Sequence, residues 1–199
     1  DLENVHQIIS IETLIQLLKK KVGSPISYSS LAEDLQCSDK TIKRWLTILE
    51  RLYVVFKVPP FHRNISRSIL KAPKYYFYDT GQVNDEPGMR LENLVACALL
   101  KEMHFREDCL GEKWNLYFLK NKDGREIDFL LTNNEKPALM LEVKWGDAER
   151  SPNFSFFEKY LAGTKKIQIV KELKREKTYP DALEIRIAHN WLSEMRLEG

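Results

Sequence analysis

The sequence predicts a mixed α/β (α+β) protein, with a helical first third and a later sheet flanked by helices. Apolar residues recur at helical spacing from the start of the chain to about residue 52. Short apolar runs rich in β-branched and aromatic residues, typical of strands, dominate residues 114–187. The predicted order after residue 88 is α-β-β-β-α-β, which indicates helices packed on a mixed sheet.

Three helices are predicted in the first third. The first contains apolar residues at helical spacing and ends at Gly23; they are Ile8, Ile11, Leu14, Ile15 and Leu18. Ser30, followed three residues later by Glu33, forms a capping-box pattern and predicts the start of the second. Ser38 or Asp39 is the expected N-cap of the third. Its predicted apolar face comprises Ile42, Trp45, Leu46, Leu49 and Leu52.

The second and third helices form a helix-turn-helix pattern. About three residues separate them, and Lys40, Lys43, Arg44 and Thr47 lie on the polar side of the third helix, where a recognition helix contacts DNA. Two predicted strands follow, and the loop between them contains Arg63 and Arg67. This arrangement predicts a winged-helix domain over residues 1–80. Many winged helices instead bind proteins or pack as linkers, and both alternatives remain open.

The distribution of charge favours a polyanionic partner for the first domain. The net charge is only +2, but residues 40–74 contain nine Lys or Arg side chains and one acid, Glu50. A basic block of this kind indicates nucleic-acid binding. The alternative is an ordinary solvated face.

Residues 81–199 are predicted to form the second domain, after a turn-rich seam at residues 78–88. A helix at residues 89–105 has Leu91, Leu94, Val95, Ala98 and Leu99 facing a core. A hairpin turn at residues 121–124 joins the first two strands, and a third strand spans residues 138–145. Ser151 and Pro152 begin another helix. It is followed by a buried strand, a further strand and a short helix.

Two of these strands contain charge where a core strand should have none. Glu142 and Lys144 share a strand face, and a hairpin can bring Asp128 beside Glu142, with Ile127 and Phe129 facing away from Asp128. Two adjacent carboxylates repel unless a cation neutralises them. Mg²⁺ or Mn²⁺ suits such oxygen ligands, so we expect Asp128 and Glu142 to bind the metal and Lys144 to assist catalysis.

Glu92 adds a carboxylate from the preceding helix, and Glu126 competes for that role because it shares a strand face with Asp128. The Glu-x-Lys pattern has little value by itself, since Glu172 and Lys174 repeat it. A surface salt bridge would explain any single pair of this kind. The combination of a helix Glu, a strand Asp and an apolar Glu-x-Lys strand is more specific.

That combination resembles the PD-(D/E)xK nuclease superfamily of restriction endonucleases and Holliday-junction resolvases. The resemblance implies a restriction-endonuclease-like mixed sheet flanked by helices, with a catalytic set of Glu92, Asp128, Glu142 and Lys144. The proline of the superfamily's name is absent, because Ile127 precedes Asp128.

The succession of "KTIKRWLTILERL", "KAPKYYFYDTG", "RLENLVACAL", "REIDFLL" and "LEVKW" resembles the C-terminal region of a family of uncharacterised prokaryotic AAA+ ATPases. The resemblance implies an N-terminal ATPase module and leaves oligomer formation open. DNA is the expected partner because of the basic winged helix, and a cytoplasmic location is expected because no signal peptide is visible. No phosphate-loop motif is present, so ATP would bind only through that other module. Because the chain begins with Asp1, we expect it to be part of a longer protein. No segment is apolar enough to predict a membrane span.

Two functions follow from these patterns. The first is a Mg²⁺-dependent DNA endonuclease that the winged helix directs to DNA. The second is a catalytically inactive nucleic-acid- or partner-binding module of the ATPase.

Overall fold

The computed structural model of the protein describes residues 2–62, 72–84, 86–146 and 149–197. Within these ranges the chain forms six α-helices and two β-sheets, which confirms a mixed α+β architecture. None of the described helices combines the length and apolar character needed to cross a membrane.

The first part of the chain consists of three helices and a two-stranded sheet. These elements are α1 (Leu2–Lys19), α2 (Tyr28–Asp34), α3 (Asp39–Arg51), β1 (Val55–Val58) and β2 (Lys74–Phe77). The prediction that Ser30 begins α2 is wrong, because the Ser27 side chain caps the helix and accepts a hydrogen bond from the Ser30 N–H. The Ser38 cap of α3 is confirmed; its side chain accepts from the Thr41 N–H.

The apolar face of α3 is confirmed for four of its five predicted members. Ile42, Trp45, Leu46 and Leu49 are buried. Leu52 is 66% exposed, because it caps the C-terminus of α3 and the chain turns away at Tyr53, whose φ is 55°. Helical spacing no longer determines which way a side chain points once the helix has ended.

The second part consists of one long helix, a six-stranded sheet and two short helices. A 3₁₀ turn at Thr80–Gln82 leads into α4 (Pro87–Leu110), which is longer than predicted at both ends. The remaining elements are β3 (Trp114–Lys120), β4 (Glu126–Asn133), β5 (Lys136–Lys144), α5 (Pro152–Glu158), β6 (Lys165–Val170), β7 (Lys177–Thr178), β8 (Leu183–Ile187) and α6 (Ala188–Glu194). The Ser151 cap with Pro152 in the first turn of α5 is confirmed.

The sheet has the strand order β3-β4-β5-β6-β8-β7. Strands β3, β4 and β5 form an antiparallel meander, whereas β5, β6 and β8 run parallel. The β3–β4 register shifts near Phe118, where Tyr117 pairs with Leu130 but Leu119 pairs with Ile127. Strand β4 therefore has one extra residue at positions 128–129, which is a β-bulge.

Two apolar clusters cover the two faces of the sheet. The smaller one packs Phe154 and Phe157 of α5 against Leu130 and Met140. The larger one extends from α1 and α3 through α4 to the opposite face of the sheet; its members include Leu14, Leu46, Phe77, Val95, Leu99, Phe129, Leu141 and Ile167. Leu94, which we expected to face this core, is 45% exposed. The division at residue 80 stays a prediction, since the larger cluster includes residues from both sides of it.

Strand β2 is attached directly to the second part of the chain. The fully buried Asn93 of α4 accepts a hydrogen bond from the Phe77 N–H and donates to the Phe77 carbonyl, at 2.8 and 2.9 Å. Just after β1, the Phe61 N–H donates to the carbonyl of Phe118, and the Phe118 N–H donates to Pro59. These bonds fix β1 and β2 beside α4 and the edge strand β3.

Gly23 places the connection between α1 and α2 against α4. Its φ is +75°, and a Cβ at this position would lie 2.6 Å from Oε2 of Glu92. We expect Gly23→Ala to lower the free energy of unfolding by more than the about 1 kcal/mol typical of a left-handed backbone, because Glu92 must also move.

Gly111→Ala is the matched control, since Gly111 has a φ of +68° and nothing within 4 Å of its ideal Cβ. Urea denaturation of both variants measures the difference. Equal losses for the two variants would show that the Gly23–Glu92 contact contributes nothing.

Candidate functional site

Asp128 occupies the β-bulge of β4, next to the third strand. Its Oδ2 accepts a hydrogen bond from the Val143 N–H at 2.8 Å, and Phe129 pairs with Leu141 one residue further on. Asp128 therefore lies beside Glu142, as the sequence predicts. The prediction that Ile127 and Phe129 both face away from Asp128 is wrong. These two residues belong to different apolar clusters, on opposite faces of the sheet, so one of them lies on the same face as Asp128. The bulge changes the alternation of side chains at this point.

Glu142 and Lys144 share one face of β5. Lys144 Nζ lies 2.7 Å from Glu142 Oε1, and 37% of the Lys144 side chain is exposed against 4% for Glu142. The other carboxylate oxygen, Oε2, is buried and has no hydrogen-bond partner among the described residues. A buried carboxylate oxygen without a donor is costly in free energy, so this atom is a candidate ligand for a cation.

Glu92, Glu126 and Asp128 surround a lysine from the first part of the chain. Lys74 Nζ lies 2.6 Å from Glu126 Oε1, 3.4 Å from Glu92 Oε1 and 3.6 Å from Asp128 Oδ1. The Lys74 side chain is fully buried, and its ammonium group lies 5.2 Å from the centroid of the Phe118 ring. The predicted helix and strand carboxylates thus converge, and Glu126 accompanies Glu92 rather than replacing it.

Two further groups complete the cluster. The hydroxyl of the fully buried Tyr76 donates to Glu92 Oε1 at 2.6 Å. Lys120, on β3, lies 2.7 Å from Glu126 Oε2. We call the group of Lys74, Tyr76, Glu92, Glu126 and Asp128 the Lys74 cluster.

At Asp128, burial and the neighbouring Glu92 together outweigh the positive charge of Lys74. Burial raises the pKa of Asp128, Glu92 raises it further, and Lys74 and the Val143 N–H lower it, with a net value of about 7. Burial alone would lower the pKa of Lys74, but Glu92, Asp128 and Glu126 raise it above its usual value. Burial and Glu92 raise the pKa of Tyr76 well above its usual range. Lys74 therefore stays charged and Tyr76 stays protonated.

Asp128 and Glu142 are the two carboxylates that could act as ligands for a divalent cation. Across residues 2–62, 72–84, 86–146 and 149–197, no group of three or more His, Cys, Asp or Glu side chains is arranged to bind a metal. Mg²⁺, however, often uses only one or two carboxylates and retains water ligands. Asp128, whose pKa burial and Glu92 raise, and Oε2 of Glu142, which has no hydrogen-bond partner among the described residues, are the candidate donors.

The predicted DNA-contacting side chains on α3 lie on its outer face. Lys40, Lys43, Arg44 and Thr47 are all exposed. Lys43 Nζ lies 5.3 Å from the centroid of the Tyr28 ring, and the Thr47 hydroxyl donates to the Lys43 carbonyl. Arg63 and Arg67 lie outside the described residues.

Sequence reasoning missed Lys74 and Tyr76 as members of the site. Lys74 belongs to the basic block of residues 40–74, although its side chain is buried. One available signal was its place at the start of "KYYF", where a lysine directly precedes three aromatic residues of a strand. A charged side chain in so apolar a strand requires an acidic partner elsewhere in the chain.

Asp128 should make the stability of the protein depend on pH in metal-free buffer. Between its ordinary pKa of 3.8 and about 7, the native chain binds a proton at Asp128 more tightly than the unfolded chain does. The contribution of this group to the free energy of unfolding therefore falls as pH rises through that window. We expect the wild type to gain stability relative to Asp128→Asn as pH is lowered across it, measured by urea denaturation with EDTA. A difference between the two proteins that stays constant with pH, or grows as pH rises, would contradict this assignment.

Family models match two consecutive parts of the chain. Residues 1–89 match a domain of unknown function, DUF8612, and residues 87–188 match another, DUF4143. No curated protein and no solved structure matches the chain. The second match extends over slightly more than half of the chain, and its domain occurs in proteins associated with AAA+ ATPases. The chain therefore belongs to the DUF4143 family.

Proposed function

We propose that this chain is the DNA-binding and nuclease-like portion of an AAA+ ATPase, and that residues 81–199 cleave DNA with bound Mg²⁺ or Mn²⁺. The observation that best supports cleavage is the buried Oε2 of Glu142, on the strand next to Asp128, which has no hydrogen-bond partner among the described residues. A bound cation would recover the free energy that this oxygen loses by leaving water.

The element order supports the proposed folds. Helices α2 and α3 followed by the β1–β2 sheet agree with a winged helix, and α4-β3-β4-β5-α5-β6 agrees with the predicted α-β-β-β-α-β order. The sheet combines an antiparallel meander with parallel strands, as a restriction-endonuclease-like sheet would require.

Each charged residue has a separate role in this proposal. Asp128 and Glu142 would provide carboxylate oxygens to the metal, which when bound lowers the pKa of a coordinated water and neutralises charge on the phosphate. Lys144 bonds to Glu142 and is partly exposed, so its ammonium group can approach a phosphate and stabilise developing negative charge. Glu92 is engaged by Tyr76 and Lys74, which makes it a positioning residue.

Cleavage is tested on plasmid and branched DNA substrates with Mg²⁺ or Mn²⁺. We expect Asp128→Asn, Glu142→Gln and Lys144→Met each to lower the cleavage rate about a hundredfold or more, because each removes a metal ligand or a charge at the phosphate. The matched control is Glu172→Gln with Lys174→Met, which alters the second Glu-x-Lys pattern at exposed positions. Equal activity in all variants, or no cleavage by the wild type even at saturating Mg²⁺ or Mn²⁺, would overturn the nuclease proposal.

The exposed basic face of α3 supports DNA binding independently of cleavage. We expect Lys43→Glu with Arg44→Glu to weaken duplex binding about tenfold or more and to reduce the salt slope by about 2, since two phosphate contacts are lost. The matched control is Lys174→Glu with Arg175→Glu, another exposed Lys–Arg pair. Fluorescence anisotropy across a salt series measures both quantities. The same loss in both variants would indicate only a nonspecific effect of net charge.

A second candidate function is a binding module without catalysis, and the Lys74 cluster favours it. Lys74 partly neutralises Glu92, Glu126 and Asp128, so these three half-buried acids do not need a metal as their counter-ion. DNA binding that survives Glu142→Ala, with no metal bound to the wild type, would support this function over cleavage.

A further inference from the structure

The Lys74 ammonium group lies among the carboxylates of the candidate site. Its Nζ atom lies within 3.6 Å of oxygens from three acids on two elements, Glu92 on α4 and Glu126 and Asp128 on β4. The face of the Phe118 ring closes another side at 5.2 Å. A fully buried ammonium group with this many acidic neighbours is a tethered counter-ion rather than a surface charge.

The positive charge of Lys74 does not neutralise the negative charge of the three acids that it contacts. Lys74 and the half-exposed Lys120 provide two positive charges for the carboxylates of Glu92, Glu126 and Asp128. Tyr76 contributes a neutral hydrogen bond to Glu92. Among the described residues, one negative charge of these three acids is therefore left uncompensated when Asp128 is ionised. A divalent cation would restore neutrality, but Lys74 already lies next to Asp128, and the two positive charges would repel each other at this separation.

We propose that Lys74 is a built-in inhibitor of metal binding: its ammonium group shares Asp128 with the metal position, so divalent cations bind tightly only when Lys74 is withdrawn. The inference rests on the proposed metal-binding role of Asp128 and Glu142. It names a mode of regulation for that site.

The strand that contains Lys74 connects the site to the first part of the chain. Phe56 and Val58 of β1 pair with Tyr76 and Lys74 of β2, and β1 follows α3 directly. Asn93 binds the backbone of Phe77, and Tyr76 binds Glu92, so β2 is held to α4 at neighbouring residues. Withdrawal of Lys74 requires β2 to separate from α4. A partner that moves the first part of the chain would therefore control the metal site.

The inference is tested by measuring Mn²⁺ affinity directly, by electron paramagnetic resonance or calorimetry on the whole chain, together with thermal unfolding with and without Mn²⁺. We expect Lys74→Met to have a lower Tm than the wild type without metal, because three acids lose their shared counter-ion. We expect it to bind Mn²⁺ about tenfold or more tightly than the wild type, and Mn²⁺ to raise its Tm more than that of the wild type.

Three variants make the result specific. Lys120→Met removes a positive charge from the same Glu126 carboxylate, but from a side chain that is 40% exposed, and it should leave Mn²⁺ affinity nearly unchanged. Lys74→Met with Asp128→Asn should lose the gain in affinity. If Lys74→Met does not fold, Lys74→Met with Glu126→Gln removes one charge of each sign and provides the same comparison.

The outcomes separate this inference from the proposed nuclease function. The inhibitor role is overturned if Lys74→Met, or Lys74→Met with Glu126→Gln, binds Mn²⁺ no more tightly than the wild type does. An equal gain in Lys120→Met would overturn it as well. Tight binding by Lys74→Met without DNA cleavage would support the inhibitor role and contradict the nuclease function. Cleavage by the wild type at the rate of Lys74→Met, at a Mn²⁺ concentration too low to saturate the wild type, would support the nuclease function and contradict the inhibitor role.

Discussion

The ion cluster around Lys74 determines how the two parts of the chain are joined. A fully buried ammonium group is stable only with acidic partners, and those partners come from α4 and β4. The acids in turn need Lys74, because Glu92, Glu126 and Asp128 would otherwise repel one another in a poorly solvated space. Strand β2 therefore packs beside α4 and the sheet, and the hydrogen bonds of Asn93 to Phe77 also stabilise this packing.

This constraint explains why structural and chemical roles coincide in the same side chains. Asp128 lies on a β-bulge, where the change in register directs its carboxylate toward Lys74 and the Val143 N–H. The pKa of Asp128 is raised to about 7 because burial and Glu92 together outweigh Lys74. Glu142, one strand away, has a buried oxygen without a partner among the described atoms. The side chains that join the two parts of the chain are thus also the ones that the proposed function uses.

Local patterns predicted most of the secondary structure. The spacing of apolar residues predicted α3, α4 and the strands of the large sheet. This is possible because each element buries one of its own faces, and that face is visible in its own stretch of sequence. Predictions failed where a single residue depended on its surroundings. Ser27 rather than Ser30 caps α2, Leu52 and Leu94 are exposed, and the two-residue strand β7 is too short to produce a pattern.

The sequence by itself determined the chemical types at the site: a helix Glu, a strand Asp and a Glu-x-Lys strand, in an order that also indicated how they would meet. Hairpin geometry was sufficient to place Asp128 beside Glu142, because the two strands are adjacent in the chain. Only the tertiary structure decided that Lys74 lies among the acids, that Glu126 joins Glu92, and that Ile127 and Phe129 face different clusters. Lys74 and Asp128 are separated by more than fifty residues, and no local pattern specifies a contact over that distance. The packing of β2 against α4 creates that contact, and with it the charge balance of the site.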